Sequence, residues 1–292
     1  MKNFIKPTLQ GIRNYLTRSV QNELVDMKHI MIDNYIKEHL YDNPKYSIPK
    51  KLNAYEYQIY SQSGEDGIIR EIFSRIGTSN KYFVEFGIDD KVECNSLLLL
   101  LNDWKGCWID GNIENVRSIK KKFRFLIDEK RLSLKSAFIA AENIEGIFHS
   151  LSVPKEFDLL SVDIDGNDYW VWNAIKDYSP RVVIIEYNAM FMPPIEFIVK
   201  YEADKFFQST SHFGASLKSM AILGSMKGYK LVGCNFVGTN AFFVRDDLVK
   251  DKFLEPFTAE IHHEPPRYYL IRQLGHNRDF GEFERTRTTN KI

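Results

Sequence analysis

The chain has 292 residues, of which 44% are hydrophobic and 27% charged, a composition that is typical of a folded globular protein and excludes disordered and fibrous classes. Lysine and arginine together number 39, as do aspartate and glutamate, so no overall positive charge is available to hold a nucleic-acid backbone. We therefore expect one principal domain with extensions at both ends and no nucleic-acid partner.

The cysteines and the apolar stretches bear on the cellular compartment. Cys94, Cys107 and Cys234 are odd in number and widely spaced, and they form no C-x-x-C pair for a zinc or redox site. The longest strongly apolar stretch, Leu97–Leu101, is far too short to span a bilayer, and residues 1–8 lack the apolar stretch of a secretory signal. The sequence predicts reduced thiols, a cytoplasmic location and no membrane span.

Residues 1–50 are predicted to form a helical extension. Between about Gln10 and Leu40 apolar side chains recur at helical spacing, and charged residues occupy the other faces. The apolar face consists of Ile12, Leu16, Val20, Leu24, Met27 and Met31. We expect this face to pack on the core of its own chain or, alternatively, to pair with a second copy in a homodimer. The two prolines within residues 43–49 end the pattern and mark a domain boundary.

Residues 51–250 are predicted to form the principal domain, because short apolar runs alternate with helical segments. This alternation is typical of a doubly wound, mostly parallel α/β sheet with helices on both faces. The predicted strands are Tyr82–Phe86, Cys107–Asp110, Leu132–Lys135, Leu159–Asp163, Val182–Glu186, Lys230–Cys234 and Asn240–Arg245. Only a few residues, including Gly238, separate the last two strands, which indicates an antiparallel hairpin closing a seven-stranded sheet.

Residues 251–292 are predicted to form a polar C-terminal extension. Its periodicity is too weak to assign secondary structure. It carries His262 and His263, which we expect to be solvated tail residues rather than ligands.

Acidic residues and a glycine follow the first two strands, where an α/β sheet presents its ligand crevice. The first strand ends at Glu85 and Phe86 and is followed by Gly87, and the second ends in Asp110. A carboxylate in the position of Asp110 can accept hydrogen bonds from both hydroxyls of a ribose. The G-x-G-x-x-G loop is absent, because Gly87 is followed by Ile-Asp-Asp. An adenosine-containing cofactor without a diphosphate is therefore favoured.

A second group of polar residues follows the fourth and fifth strands. Asp163 and Asp165 belong to the end of the fourth strand, and Glu186 and Asn188 to the end of the fifth. Neighbouring strands lie about 4.8 Å apart, so Asp165, Glu186 and Asn188 can together hold a hard divalent ion through oxygen. The alternative is that these residues cap helices and bind ribose or substrate hydroxyls without a metal.

Four segments resemble, in order and spacing, the FkbM-like methyltransferases of bacterial sugar and polyketide pathways. They are Y-F-V-E-F-G (82–87), W-K-G-C-W-I-D-G-N (104–112), D-L-L-S-V-D-I-D-G-N-D-Y-W (158–170) and R-V-V-I-I-E-Y-N (181–188). The segment S-Q-S-G-E-D-G-I-I (61–69) is similar to the opening segment of a branch of that family. The resemblance implies a class I, Rossmann-like methyltransferase dependent on S-adenosylmethionine (SAM), whose sheet inserts its last strand antiparallel.

The same resemblance implies a set of cofactor-binding residues. Glu85, Gly87 and Asp110 would bind SAM, Ser136 and Ala137 would lie near its adenine, Gln62 would lie near its methionine end, and Asp163 would border the site. The D-I-D-G-N-D-Y segment (163–169) is also similar to the D-G-D-x-Y stretch of macrocin-type, metal-dependent sugar O-methyltransferases, which favours Mg²⁺ or Mn²⁺ as a second cofactor. This chain departs from that pattern by carrying E-Y-N (186–188) where those enzymes have adjacent aspartates.

The predicted function is methyl transfer from SAM to a hydroxyl of a sugar or sugar-nucleotide intermediate of bacterial capsular polysaccharide biosynthesis, and the family resemblance alone supplies this substrate class. The sulfonium methyl group is already activated, so the enzyme must align the acceptor oxygen and remove its proton. Asp165 or His212 would serve as the base, or a metal would lower the hydroxyl pKa. The alternatives are an NAD-dependent oxidoreductase or epimerase, which the missing glycine loop disfavours, and a non-catalytic binding module of the same fold.

Overall fold

The computed structural model describes residues 2–88, 93–164, 166–204, 210–271 and 280–282. The chain divides into two compact units, residues 1–48 and residues 49–292. Asp165, predicted above as a base or metal ligand, lies outside the described residues.

The N-terminal unit consists of a long helix followed by short turns. Helix α1 spans Lys2–Ile36 and continues into a π-helical turn, Lys37–Tyr41, and a 3-10 turn, Pro44–Tyr46. Four side chains of its predicted apolar face are exposed, and their exposed fractions are 54% for Val20, 58% for Leu24, 59% for Met27 and 69% for Met31. The side chains of Ile12 and Leu16, predicted on the same face, lie outside the described part of the chain.

The second unit is built on a seven-stranded sheet whose strand order confirms the predicted fold. Its strands are β1 (Tyr82–Phe86), β2 (Lys105–Asp110), β3 (Leu132–Ser136), β4 (Glu156–Val162), β5 (Ser179–Glu186), β6 (Tyr229–Cys234) and β7 (Asn240–Arg245). They lie in the order β3-β2-β1-β4-β5-β7-β6, and the pairings are parallel except those of β7 with β5 and β6. This is the doubly wound, Rossmann-like α/β sheet of class I methyltransferases, with its last strand inserted antiparallel.

The two central strands β4 and β5 begin earlier than predicted. Their starts, Glu156 and Ser179, pair with each other in parallel register at the amino edge of the sheet. These polar residues precede the apolar runs that indicate buried strands in a sequence, so apolar patterning alone misses them. Strand β4 ends at Val162, which places Asp163 in the turn after the strand.

The helices of the second unit cover the two faces of the sheet. They are α2 (Glu65–Ile76), α3 (Leu97–Leu101), α4 (Ile113–Lys122), α5 (Arg124–Asp128), α6 (Ile144–Ser150), α7 (Asp168–Ala174), α8 (Leu217–Met226), α9 (Asp246–Val249) and α10 (Ala259–His262). Consecutive residues of β7, Phe242 and Phe243, belong to two different clusters of buried apolar side chains. Successive side chains of a strand point to opposite faces, so one cluster lies on each side of the sheet.

A search of the described helices for membrane spans gives a negative result: none of them combines the required length and apolarity.

The order of the strands places a ligand crevice above β1 and β4. From β1 the chain runs outward through β2 to β3, and then returns to the other side of β1 to form β4 and β5. The connections on the two sides therefore diverge, and ligands of such sheets bind outside the carboxyl ends of the strands at this switch point. Because β7 runs antiparallel, its first residue, Asn240, lies opposite Glu186 at the same edge.

A buried ion pair holds the opposite, amino edge of the sheet. Arg181 donates to Asp158 at 2.7 Å, and the same carboxylate accepts from the backbone N–H groups of Ser79, Asn80 and Lys81. Asp158 is fully buried, and these donors stabilise its charge. The loop before β1 is thereby tied to β4 and β5 on the side away from the crevice.

The C-terminal extension contains buried polar residues, and the expectation that its histidines are solvated is wrong. His262 is 2% exposed, and burial lowers its pKa to about 4. Nε2 of His262 lies 3.1 Å from a backbone carbonyl oxygen, that of Leu254. His263 is half-buried, and its Nε2 lies 3.0 Å from Ala189 O. These contacts compensate the loss of hydration that burial imposes on the imidazoles.

Candidate functional site

A cavity of about 730 Å³ lies at the carboxyl edge of the sheet. Its volume is in the range of pockets that bind small molecules. The lining includes most of the predicted cofactor-binding residues: Gln62, Glu85, Gly87, Asp110, Ala137 and Asp163. Ser136, which ends β3, lies outside the described lining.

Gly87 brings the ends of β1 and β4 together. Its φ is +70°, a left-handed conformation that favours glycine, and its N–H donates to Ile109 O at 3.1 Å. A Cβ on this residue would overlap the carbonyl oxygen of Asp163. The floor of the cavity is therefore a close approach of two backbone segments that only glycine permits at this position.

Glu85 lines the cavity but its carboxylate is occupied by the protein itself. It accepts from Asn95 N at 2.8 Å, from Ser96 N at 3.0 Å, and also from the Ser96 hydroxyl. Burial raises the pKa of Glu85, and these hydrogen bonds oppose that rise. Glu85 thus fixes the loop before α3, and the predicted direct contact of its carboxylate with a cofactor would have to compete with these bonds.

Asp110 is the last residue of β2, and it lines the cavity together with the two residues that follow it, Gly111 and Asn112. Its Oδ1 accepts from Asn112 N at 2.6 Å, and its backbone oxygen accepts from Ala137 N at 3.0 Å. Asn112 in turn caps α4 by accepting from Glu114 N at 2.9 Å. The carboxylate is therefore held by the protein at the cavity, and Asp110 is 8% exposed.

The charge of the lining is negative. Glu85, Glu93, Asp110 and Asp163 contribute four carboxyl groups, and no lysine or arginine of the described residues lines the cavity. The thiol of Cys94, also in the lining, has a pKa raised well above its usual range by burial and by Glu85. Such a lining favours a cationic ligand and disfavours a diphosphate.

The predicted metal site is not supported by the described residues. Asn188 donates through Nδ2 to Ser211 O at 2.8 Å and to Phe213 O at 3.1 Å, and its Oδ1 accepts from Met190 N at 3.3 Å. Its amide therefore holds the following loops together. Within the described ranges, no group of three or more His, Cys, Asp or Glu side chains is arranged to hold a metal ion.

Glu186, also predicted as a metal ligand, lies at the end of β5 near the C-terminal extension. The pKa of Tyr268 is raised to about 12, first by burial and then by the Glu186 carboxylate. Tyr268 itself is 42% exposed. The extension lies at this edge of the sheet, because His263 Nε2 is 3.0 Å from the backbone oxygen of Ala189, shortly after the end of β5.

His212, predicted as an alternative base, is not brought into the cavity. His212 is exposed, and its backbone N–H donates to Thr210 Oγ1 at 3.3 Å. Its imidazole ring lies edge-on to the ring of Phe197, with 5.5 Å between the centroids. His212 lies outside the described lining of the cavity.

The described lining contains five asparagines that are not among the predicted site residues: Asn95, Asn112, Asn115, Asn167 and Asn240. Asn167 donates to Glu202 O at 2.8 Å, and its Oδ1 is buried without a hydrogen bond to any described residue. Asn240 donates to Glu65 at 3.1 Å. For Asn240 the sequence does contain an indication, because an antiparallel last strand begins at the edge where its parallel neighbours end.

Comparison with known proteins gives no match to a protein-family model and no match to a curated protein. Among solved structures, the N-terminal domain of EvdMO1 with SAH bound is 12% identical, with a TM-score of 0.41 over 65% of this chain and 80% of that chain. Magnesium protoporphyrin IX methyltransferase (ChlM) from Synechocystis PCC 6803 with bound SAM is 8% identical, with a TM-score of 0.40 over 75% and 97%. The methyltransferase domain of bacterial CtHen1-C is 15% identical, with a TM-score of 0.38 over 62% and 96%. These TM-scores are low, and the strand order and strand directions of this chain define its fold independently of them.

Proposed function

We propose that this chain transfers the methyl group of SAM to a hydroxyl group of a small molecule. The observation that carries the proposal is an acidic cavity at the switch point of a class I methyltransferase sheet, with Asp110 at one end and the approach of Gly87 to Asp163 in its floor. SAM carries a sulfonium cation, which matches the charge of the lining. The alternative of an NAD-dependent oxidoreductase is disfavoured, because the diphosphate of NAD would face the same carboxylates.

In the proposed arrangement the cofactor lies along the carboxyl edge of the sheet. The carboxylate of Asp110 accepts hydrogen bonds from the ribose hydroxyls, and Ala137 flanks the adenine, with Ser136 behind it at the end of β3. The methionine part extends across the ends of β1 and β4, past Gly87 and Asp163. The resemblance to FkbM-like enzymes supports the same assignments and adds Gln62 near the methionine end.

The chemistry requires orientation and one proton transfer. The acceptor oxygen forms a bond to the methyl carbon while the carbon–sulfur bond breaks, S-adenosylhomocysteine (SAH) leaves, and the hydroxyl proton passes to a base. We propose Asp165 as that base, because it follows the cavity residue Asp163 by two positions, whereas His212 lies outside the described lining. The proposed reaction is written with the Asp165 side chain as the base and without a metal.

The proposed acceptor is a sugar or sugar-nucleotide intermediate of capsular polysaccharide biosynthesis in the bacterial cytoplasm. The resemblance to FkbM-like and macrocin-type enzymes supports this substrate class. Because no lysine or arginine of the described lining is available to a phosphate, a sugar nucleotide would place its sugar in the cavity and its diphosphate outside.

Calorimetric titration tests the proposed cofactor. SAM and SAH are expected to bind with micromolar dissociation constants, and NAD is expected to release no measurable heat at the same concentrations. The negative lining attracts the sulfonium cation of SAM and repels a diphosphate, whereas the proposed ribose contact of Asp110 is common to SAM and SAH. Heat from NAD and none from SAM or SAH would refute the methyltransferase proposal. SAM binding without methyl transfer to any nucleotide sugar in a broad screen would favour a binding module.

We also propose that α1 mediates a homodimer. Its exposed apolar side chains, Val20, Leu24, Met27 and Met31, follow one another at intervals of four, three and four residues, the spacing of a coiled-coil seam. The double substitution Leu24→Glu, Met27→Glu is expected to convert a dimer into a monomer in analytical ultracentrifugation, because it would bury like charges in that seam. Asn22→Glu, at an exposed position off the stripe, is the matched control and should leave the dimer intact. A monomeric unmodified protein at tens of micromolar contradicts the proposal.

A further inference from the structure

Gln62 lies in a part of the cavity wall that is neither helix nor strand. Residues 56–64 connect the 3-10 turn Leu52–Tyr55 with α2. Gln62 is exposed and lines the cavity, whereas its neighbours Ser61 and Ser63 are buried. The residues that hold the backbone before and after Gln62 therefore determine that its side chain is presented to the cavity.

Asp66 fixes the backbone before Gln62. One oxygen, Oδ2, accepts from the N–H groups of Ile59 at 2.7 Å, Tyr60 at 2.8 Å and Ser61 at 2.9 Å, and from Ser61 Oγ at 3.0 Å. Asp66 is 2% exposed, and burial raises its pKa while these donors oppose the rise. Four donors on a single buried oxygen hold three consecutive residues in one conformation.

Glu65 fixes the backbone after Gln62. Its carboxylate accepts from Ser63 N at 2.8 Å and from Ser63 Oγ at 2.9 Å. The same fully buried carboxylate accepts from the side-chain amides of Asn235 at 2.8 Å and Asn240 at 3.1 Å, which belong to the β6–β7 hairpin. The segment that carries Gln62 is thus joined to another wall of the cavity.

We propose that Asp66 is a positioning residue for cofactor binding and acts through Gln62. With residues 59–61 held by Asp66 and Ser63 held by Glu65, the Gln62 amide is presented to the cavity, where it donates to the carboxylate at the amino-acid end of the cofactor. Asp66 itself is outside the described lining of this cavity. The inference rests on the proposed function, since it takes SAM as the cofactor.

Calorimetry with two probes separates the two ends of the cofactor. SAH has both ends, whereas 5′-methylthioadenosine has the adenosine and lacks the amino-acid end. Asp66→Ala is expected to raise the dissociation constant of SAH about tenfold, the size of a lost hydrogen bond to a charged group. It should change that of methylthioadenosine by less than about twofold. Asp66→Asn keeps an oxygen for the backbone donors and should restore SAH affinity to within about twofold of the unmodified protein.

A double-mutant cycle tests whether Asp66 acts through Gln62. Gln62→Ala alone should weaken SAH binding about tenfold. In that background, Asp66→Ala should cause no further loss of SAH affinity, although it should still lower the melting temperature. Independent losses that multiply would overturn the proposal, because they would show that Asp66 does not need Gln62 for its effect.

Asp158→Ala is the matched control for the stability effect of Asp66→Ala. Asp158 also collects consecutive backbone N–H groups, those of residues 79–81, but at the amino edge of the sheet. The variant should lower the melting temperature and leave the SAH dissociation constant unchanged. An equal loss of SAH affinity in Asp158→Ala would show that the effect of Asp66→Ala is general destabilisation, and would overturn the positioning role of Asp66.

Hydrogen exchange on the unmodified protein covers the case in which Asp66→Ala does not fold. SAH is expected to slow exchange of the amides of residues 58–63, and methylthioadenosine is not. No slowing by SAH, or equal slowing by both probes, would overturn the inference. Failure of the unmodified protein to bind SAH or SAM at all would instead overturn the proposed function on which it rests.

Discussion

Gly87→Ala is expected to destroy the cofactor site and to destabilise the fold. The left-handed φ of +70° costs an alanine roughly 1–2 kcal/mol. The new Cβ would also overlap the backbone oxygen of Asp163, which follows the central strand β4 and cannot turn aside as a flexible side chain would. The ends of β1 and β4 must then separate, which moves the floor of the cavity.

The expected loss of stability for Gly87→Ala is roughly 2–4 kcal/mol, and SAH affinity should fall on the order of 100-fold. Denaturant unfolding and calorimetry measure the two quantities. Gly146→Ala, in α6, is the control: a Cβ there meets no atom within 4 Å, and alanine should stabilise the helix by about 0.5–1 kcal/mol. A stable Gly87→Ala protein with unchanged SAH affinity would contradict the close contact between Gly87, after β1, and the backbone oxygen of Asp163, after β4.

Asp110→Ala is expected to weaken SAH binding by at least about tenfold, because hydrogen bonds between its carboxylate and the ribose hydroxyls are lost. The side chain also accepts from Asn112 N at 2.6 Å, so part of the effect will appear as lower stability. Calorimetry at a temperature well below the melting transition of the variant measures the change in SAH affinity separately from the loss of stability.

Asp110→Asn distinguishes the two contributions of Asp110. Asparagine keeps an oxygen for Asn112 N but has neither the charge nor the second acceptor for the ribose. It should therefore restore most of the stability and only part of the SAH affinity. An unchanged SAH dissociation constant in folded Asp110→Ala would contradict the proposed ribose contact. The role of Asp110 would then be limited to holding Asn112, which caps α4.

The fold of the second unit could be predicted from the sequence because its signals are local. The apolar runs that become β1, β2, β4 and β5 are near-continuous, as expected for strands covered on both faces. The last two runs are separated by too few residues for a parallel crossover, which fixes their antiparallel pairing. Once strands are assigned, the rule that ligands bind at their carboxyl ends selects Gly87, Asp110 and Asp163 without any knowledge of contacts.

The roles of individual side chains at that edge depend on partners that are distant in the chain. Glu85 has the expected location, but its carboxylate is occupied by Asn95 and Ser96. The Nδ2 of Asn188 is likewise occupied, because it donates to the backbone oxygens of Ser211 and Phe213. Residue type and spacing predict where a polar group lies, whereas its hydrogen-bond partners determine whether it remains available to a ligand.

By itself, therefore, the sequence determined the class of sheet, the edge that carries the cavity and the acidic character of that edge. Only the tertiary structure decided the burial of His262, the exposure of the apolar face of α1 and the joining of Glu65 to Asn235, 170 residues away. The physical reason is that strand periodicity and apolar runs are encoded between near neighbours. Burial and hydrogen-bond satisfaction are properties of pairs that meet only after the sheet has formed.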